Sequence, residues 1–342
     1  VEGIFCQAES FSQEGVEMQY KKMGRTGLKV SPLGVGTMFY GSQVAEAEAV
    51  KIIDLAFDKG INMFDTADVY GAGKSEEIVG KALKSKRKQV VLATKVANKM
   101  GRGPNDNGLS REHIMQAVEA SLRRLETDYI DLYYAHAPDY GTPVEETLRA
   151  FEDLVQQGKV RYIACSNFSA GRLMKALWVS DKYNLARFDC IQSVYNLLTR
   201  DVEYELLPVC AAEGVGVTVY NPLAAGFLTG KYDPAKPPPP DNRFGRERTG
   251  PHEQDMYWSP ANFQAVDKLK KIADGHGYKL TLFSLAWVIN NPVISSTIVG
   301  ASSAKQMEEN IGAADIVLNE EDKKGCDAVW GDLRPPRVFY GK

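Results

Sequence analysis

Residues 61–96 read INMFDTADVYGAGKSEEIVGKALKSKRKQVVLATKV, and this stretch decides the architecture. Two short apolar runs, Ile61 to Thr66 and Val90 to Val96, enclose an amphipathic segment, Ser75 to Lys84. Compact apolar runs of this kind suit strands buried on both faces, and parallel strands need a crossover between them. The stretch is one strand, helix, strand unit. The same alternation runs outward in both directions, with further strand candidates at Leu33 to Thr37, Tyr129 to His136, Val160 to Asn167, Asp189 to Tyr195, Val215 to Asn221 and Ser296 to Gly300. Helix candidates lie near Glu46 to Lys59, Ser110 to Leu125, Val144 to Gln157, Ser169 to Tyr183, Glu203 to Glu213 and Ala304 to Ala313. Up to the seventh strand the starts recur at roughly 26 to 39 residues, the spacing of repeated βα units. Eight such units predict an α/β fold with one closed (β/α)8 TIM barrel.

Two segments depart from the repeat. Tyr20 to Lys22 and Leu28 to Val30 flank a Gly-Arg-Thr-Gly turn and read as an N-terminal β-hairpin that caps the barrel bottom. About 75 residues separate the seventh and eighth strands, too many for a plain connection, so a long lid loop is expected there. That insertion holds a Pro/Gly-rich stretch from Tyr232 to Pro260, then helix candidates at Asn262 to His276 and Thr281 to Asn290. The domain reading is a flexible extension over 1–17, a barrel over 18–318 and a short Pro-containing tail over 319–342.

The 342 residues are 44% hydrophobic and 25% charged, with a net charge of −3, the profile of a globular chain. This balance gives no general pull toward nucleic acid, and no run approaches the roughly 20 apolar residues of a membrane span. The N-terminus lacks the layout of a signal peptide, so a cytoplasmic location is expected. Five scattered cysteines, never in a CxxC pair, indicate neither a disulfide scaffold nor a zinc site, and no metal is expected.

Catalytic groups in such a barrel sit where strands end. Asp65 closes the second strand, Lys95 the third and His136 the fourth, and Tyr70 follows in the loop after the second. A lysine ending the apolar run VVLAT must reach water or an anion, and Asp65 on the neighbouring strand is the partner. A tyrosine hydroxyl, with an ordinary pKa near 10, is a poor proton donor at neutral pH unless a nearby cation stabilises its phenolate. Lys95 supplies that cation, and His136 positions a substrate oxygen. Together they form a general acid aimed at a carbonyl oxygen, and both Tyr70 and His136 are substrate-facing.

The chain resembles the aldo-keto reductase family. The resemblance rests on GVGTM at Gly34 to Met38, FDTADVYG at Phe64 to Gly71, ATK at Ala93 to Lys95, DLYYAHAPD at Asp131 to Asp139 and SNFS at Ser166 to Ser169. PLAAGFLTGKY at Pro222 to Tyr232 and VGASSAKQMEENIGA at Val299 to Ala313 complete it. The nearest branch holds bacterial aldo-keto reductases and voltage-gated potassium channel β subunits. It implies a catalytic tetrad of Asp65, Tyr70, Lys95 and His136, with Tyr70 as proton donor. The channel subunits typically carry asparagine where His136 stands, which favours a working reductase.

A Rossmann fingerprint is absent, since Gly34 and Gly36 are followed by Phe39 where a third glycine belongs. The resemblance instead implies a nicotinamide dinucleotide across the barrel mouth. Gly36, Thr37 and Met38 would line it, Ser166, Asn167 and Gln192 would bind the carboxamide, and Tyr220 would stack on the ring. Asn221, Pro222, Leu223, Ala224 and Gly226 match positions beside the pyrophosphate, with Lys231 as counter-charge. Ser302, Gln306, Glu309 and Asn310 match adenosine contacts, and the helix start after Gly300 suits a phosphate. Gly300 and Gln306 are uncharged where other members place a lysine or arginine, and Arg243 is the match for a 2′-phosphate contact. NADPH is therefore expected over NADH.

The substrate pocket is expected from Met38, Phe39, Tyr40, the loop Ala97 to Leu109, Ala137 to Tyr140 and the lid, leaving aldehydes, sugar-derived ketones and natural-product ketones open. Relatives that assemble as tetramers leave room for a homo-oligomer. Two alternatives stand beside the reductase: a cofactor-binding regulatory subunit resembling the channel β subunits, and a barrel enzyme using Lys95 as a Schiff-base nucleophile.

Overall fold

The computed structural model describes residues 18–240, 242–247 and 250–334. The extension read over 1–17 and the last eight residues of the expected tail lie outside them. By contacts the chain divides into two compact units. One comprises the chain up to Ser193 with Glu203–Tyr220 and Val293–Ile311; the other comprises Val194–Val202, Asn221–Pro292 and the chain from Gly312 onward. The span read as one domain, 18–318, takes in the barrel unit and most of the insertion, which by contacts groups into the second unit.

In the barrel unit, β1 (Lys21–Lys22) and β2 (Lys29–Val30) form an antiparallel hairpin. The barrel strands are β3 (Leu33–Gly36), β4 (Met63–Asp65), β5 (Val91–Val96), β6 (Ile130–Ala135), β7 (Val160–Ser166), β8 (Phe188–Val194), β9 (Gly216–Tyr220) and β10 (Ile294–Val299). They close in sequence order, β10 pairing in parallel with β3. Each lies within two residues of its sequence-based bounds at both ends, because β-branched runs buried on both sides read the same locally and in the fold. Around them run α1 (Glu46–Asp58), α2 (Lys74–Leu83), α3 (Arg111–Arg124), α4 (Val144–Gln156), α5 (Ala170–Tyr183) and α6 (Leu206–Glu213), each packed on the next.

The hairpin closes the end of the barrel where strands begin. Met23 and Val30 are fully buried and join Met63, Val91, Ala93, Leu132, Ala164 and Ile298 in one apolar cluster. Gly24, at φ +54°, lets this plug seat: a Cβ there would lie 2.4 Å from the Gly214 carbonyl oxygen and 2.3 Å from the Gly216 nitrogen. The opposite rim is set by register. Gly36 pairs with Asp65, Val96 with Ala135 and Ser166 with Gln192, so the polar strand ends share one rim.

The second unit holds α7 (Gly250–Tyr257), α8 (Pro260–Gly275), α9 (Leu280–Ile289) and α11 (Glu320–Leu333), while α10 (Ala304–Ile311) belongs to the barrel unit. Sequence reading anticipates α8 and α9 but not α7 or α11. The expected tail thus carries a 14-residue helix, begun by a reciprocal capping box between Asn319 and Asp322. Phe227, Tyr232, Phe244, Trp258 and Phe263 pack ring against ring in this unit. Among the described residues no helix is long and apolar enough to cross a membrane.

Candidate active site

β4 and β5 are neighbouring strands, so Asp65, which ends β4, and Lys95, one residue before the end of β5, can meet. Lys95 is 0% exposed; its Nζ donates to Asp65 Oδ1 at 2.5 Å and to the Thr66 carbonyl at 2.7 Å. Burial alone would pull this lysine's pKa down. The Asp65 carboxylate, with help from Tyr70, more than offsets that, and the ammonium is held above its usual range. Gln192, reaching in from β8, donates Nε2 to the other oxygen, Asp65 Oδ2, at 2.9 Å. The Asp65 carboxylate is therefore bonded on both oxygens, as a buried anion requires.

Tyr70 enters from the loop between β4 and α2. Gly71, Ala72 and Gly73 follow it with φ of +57°, +53° and +94°. For Ala72 this left-handed backbone costs on the order of 1 kcal/mol, and such strain collects at functional sites. Ser75, at the start of α2, fixes the turn by donating to the Thr37 carbonyl at 2.9 Å and sharing hydrogen bonds with the Thr37 and Thr66 hydroxyls. The result places the Tyr70 ring centroid 5.0 Å from Lys95 Nζ. Burial pushes the Tyr70 phenol up, while the charge and hydrogen bonding of Lys95 draw it partway back. The net direction is upward, so the expected lowering by Lys95 is present but outweighed.

His136 follows β6, its backbone N–H donating to the Val96 carbonyl at 2.8 Å. Its ring meets that of Tyr70 edge-on, centroids 5.7 Å apart. Burial, reinforced by the Lys95 charge, pushes the imidazole down to about 3, so it is neutral at physiological pH. Asn98 Nδ2 lies 3.0 Å from His136 Nδ1. All four tetrad candidates come together.

The rim continues the network. Ser166 donates to the Gln192 carbonyl at 3.0 Å, and Asn167, at φ +62°, donates to the His136 carbonyl at 3.1 Å. Tyr220 donates its hydroxyl to Asn167 Oδ1 at 2.9 Å. Gly36 ends β3, Thr37 is buried in the Ser75 network, and Met38 is 44% exposed. Phe39 keeps some exposure. Tyr40 is enclosed, 1% exposed, with a hydroxyl that has no hydrogen-bond partner, so it offers a substrate no surface here.

At the start of α10 the donors are largely engaged. Ser302 gives its N–H and hydroxyl to Gln306 Oε1, at 2.7 and 3.0 Å, and the Ala304 N–H goes to Glu48 Oε1 at 2.9 Å. These side chains cap the helix start that the sequence reading assigns to a phosphate. Gly300 and Glu309 are exposed. Asn310 is 2% exposed and its Nδ2 has no partner.

The other candidates belong to the second unit. Asn221, Ala224, Ala225 and Gly226 have φ of +56°, +50°, +57° and +90°, and Asn221 Oδ1 accepts from the Ala225 N–H at 2.6 Å. Pro222 is buried and Leu223 partly so. Lys231 Nζ lies 5.2 Å from the centroid of the Tyr232 ring. Arg243 donates Nε to Glu253 Oε1 at 2.7 Å, and Glu253 is 5% exposed with Oε2 unpartnered.

The family profile described as "Aldo/keto reductase family" matches residues 32–331. The chain belongs to the aldo/keto reductase family. It is 40% identical over 312 residues to an Arabidopsis thaliana protein named "Probable voltage-gated potassium channel subunit beta", covering 88% of this chain and 92% of that one. A Schizosaccharomyces pombe protein named "Putative voltage-gated potassium channel subunit beta" is 39% identical over 331 residues, covering 94% and 95%. In this aldo/keto reductase chain the four residues named from the sequence meet, but their supports are missed: Asn98 beside His136, Ser75 bonded to Thr37 and Thr66, and Glu76, which accepts from Thr94 and Arg124.

Proposed function

We propose that this chain is a nicotinamide-dependent carbonyl reductase in which Tyr70 protonates the substrate oxygen and NADPH is the preferred cofactor. The observation that carries this reading is the buried Lys95 ammonium, held by Asp65 and standing 5.0 Å from the Tyr70 ring. A dinucleotide suits the residues present. Asn310 Nδ2 is a buried donor without a partner, which a nucleotide base would satisfy. Ser166, Asn167 and Gln192 give amides and a hydroxyl at the rim, where a carboxamide needs them.

A nicotinamide dinucleotide, when bound, would supply the hydride for the carbonyl carbon. Tyr70 stays protonated at neutral pH, so its hydroxyl holds a proton for the oxygen as that atom gains charge. Lys95, fixed as a cation by Asp65, lowers the cost of the phenolate left behind without rearranging. His136 is neutral and acts as a hydrogen-bond donor that orients the oxygen, not as the proton source. The same geometry disfavours Lys95 as a Schiff-base nucleophile, because a raised pKa leaves its nitrogen without a free lone pair. The resemblance of Arg243 to a phosphate-gripping arginine favours NADPH, and a phosphate there would compete with Glu253 for the guanidinium.

The test is loss of NADPH absorbance across a panel of aldehydes, ketosugars and polycyclic ketones, repeated with NADH. Tyr70→Phe should bind cofactor as the parent does, by fluorescence titration, and lose on the order of 10²–10⁴-fold in turnover. Full reductase activity in Tyr70→Phe overturns the mechanism. The names of the relatives support a second reading, a regulatory subunit that uses the cofactor as a sensor. Histidine at position 136 argues against it; bound NADPH that no carbonyl in the panel oxidises would favour it.

A further inference from the structure

We propose that Asn98 is a positioning residue that fixes the imidazole proton of His136 on Nε2 and so makes that nitrogen the donor to the carbonyl oxygen. The inference rests on the reductase reading for its consequence, but not for its geometry. Asn98 lies three residues beyond Lys95, in the loop that leaves β5, and its Nδ2 is 3.0 Å from His136 Nδ1. An amide N–H2 group only donates. With Nδ2 of Asn98 toward the ring the contact is a hydrogen bond when Nδ1 accepts, and a neutral imidazole that accepts at Nδ1 carries its single proton on Nε2.

The ring is otherwise free to choose. In water both neutral tautomers are populated, and a His136 with its proton on Nδ1 would offer the substrate oxygen a lone pair, which repels it. The backbone does not decide the matter, since the hydrogen bond from the His136 N–H to Val96 and that from Asn167 to the His136 carbonyl fix the chain but not the ring proton. The edge-on Tyr70 ring limits where the imidazole can swing but has no preference for either tautomer. Asn98 is the group that distinguishes the two nitrogens. Partners that fix the ring orientation and tautomer of metal-bound histidines typically cost 10- to 100-fold when removed, and an effect of about that size is expected for Asn98.

The experiment reads the tautomer directly. The chain has 4 histidines, so the ring ¹⁵N signals of His136 can be assigned by their loss in His136→Gln. In the parent protein without substrate, Nε2 should show as protonated and Nδ1 as bare. In Asn98→Asp the carboxylate accepts instead of donating, so Nδ1 should become protonated. In Asn98→Ala the signals should report a mixture. Steady-state kinetics of Asn98→Ala should show kcat down about 10- to 100-fold with cofactor affinity unchanged, and Asn98→Gln should restore part of it. A parent protein with the proton on Nδ1, or an Asn98→Asp protein with the parent's ¹⁵N pattern, overturns the assignment. Failure of the parent to reduce any carbonyl would sink the reductase reading instead, and the ¹⁵N result distinguishes the two because it needs no turnover.

Discussion

Asp68 stands two residues before Tyr70, 1% exposed, and neither of its oxygens makes a full hydrogen bond. Burial, reinforced by the nearby Glu76 carboxylate, pushes it from 3.8 up to about 7; the Val69 amide and the charges of Arg124 and Lys95 restrain the rise. The native state therefore holds a proton on Asp68 between about pH 4 and pH 7 that the unfolded chain has released. Its contribution to stability is complete below pH 4 and is lost as pH rises through about 7. Asp68→Asn, neutral at every pH, should gain on the parent in unfolding free energy between pH 5 and pH 8, by an amount on the order of 1–3 kcal/mol. Parallel melting curves for the two proteins at both pH values would contradict this. Ionised Asp68 also opposes the Tyr70 phenolate, so the same residue helps keep the donor protonated. At this scale the tetrad was legible because each member closes a strand or follows one, whereas Asn98 and Asp68 act through tertiary neighbours that no local pattern marks.

At the scale of elements, α2 is the part that holds Tyr70 against β5. Glu76 is 0% exposed; it accepts from Thr94 Oγ1 at 2.5 Å and from Arg124 of α3 at 2.6 Å. Thr94 immediately precedes Lys95, so one carboxylate links the helix after the donor loop, the strand bearing the cation and the next helix. Removing one member of a buried pair leaves an uncompensated charge and typically costs 3–5 kcal/mol. Arg124 keeps some access to water, which places Glu76→Ala near 3 kcal/mol by urea unfolding. Glu76→Gln preserves the shape and an acceptor for Thr94, so it should lose less stability than Glu76→Ala. Equal unfolding midpoints for parent and Glu76→Ala would rule out the tie. The helix itself was foreseen over Ser75 to Lys84 from its amphipathic spacing, but residues 48 apart in Glu76 and Arg124 meet only because α2 and α3 lie side by side on the barrel.

At the scale of the molecule, eight strands were legible because a closed parallel barrel buries each one and so demands an unbroken apolar run. In the second unit α8 and α9 were legible, but α7 and α11 were not, because their patterns are mixed. In α11, Gly325 and Gly331 interrupt a polar sequence, and the segment reads as a tail. Gly325 faces α8: a Cβ there would lie 2.9 Å from the terminal Cδ1 of Ile272. The helix then buries Cys326, Val329 and Trp330, at 1%, 5% and 7% exposure. Polar ties at its margins join it to the same unit, Asp322 to His276 at 2.7 Å and Asp327 to Arg200 at 2.7 Å. Burial of a Val or Trp side chain contributes roughly 1.5–3 kcal/mol each, an upper range because unfolded chains already hide some surface. A chain ending at Leu318 should therefore lose about 3–5 kcal/mol from the second unit, seen as early protease cleavage and faster amide exchange in α8, while α3 and α4 of the barrel unit keep their protection. If α8 exchanges no faster in the shortened chain, α11 contributes nothing to that unit and the segment is a tail in energetic terms after all.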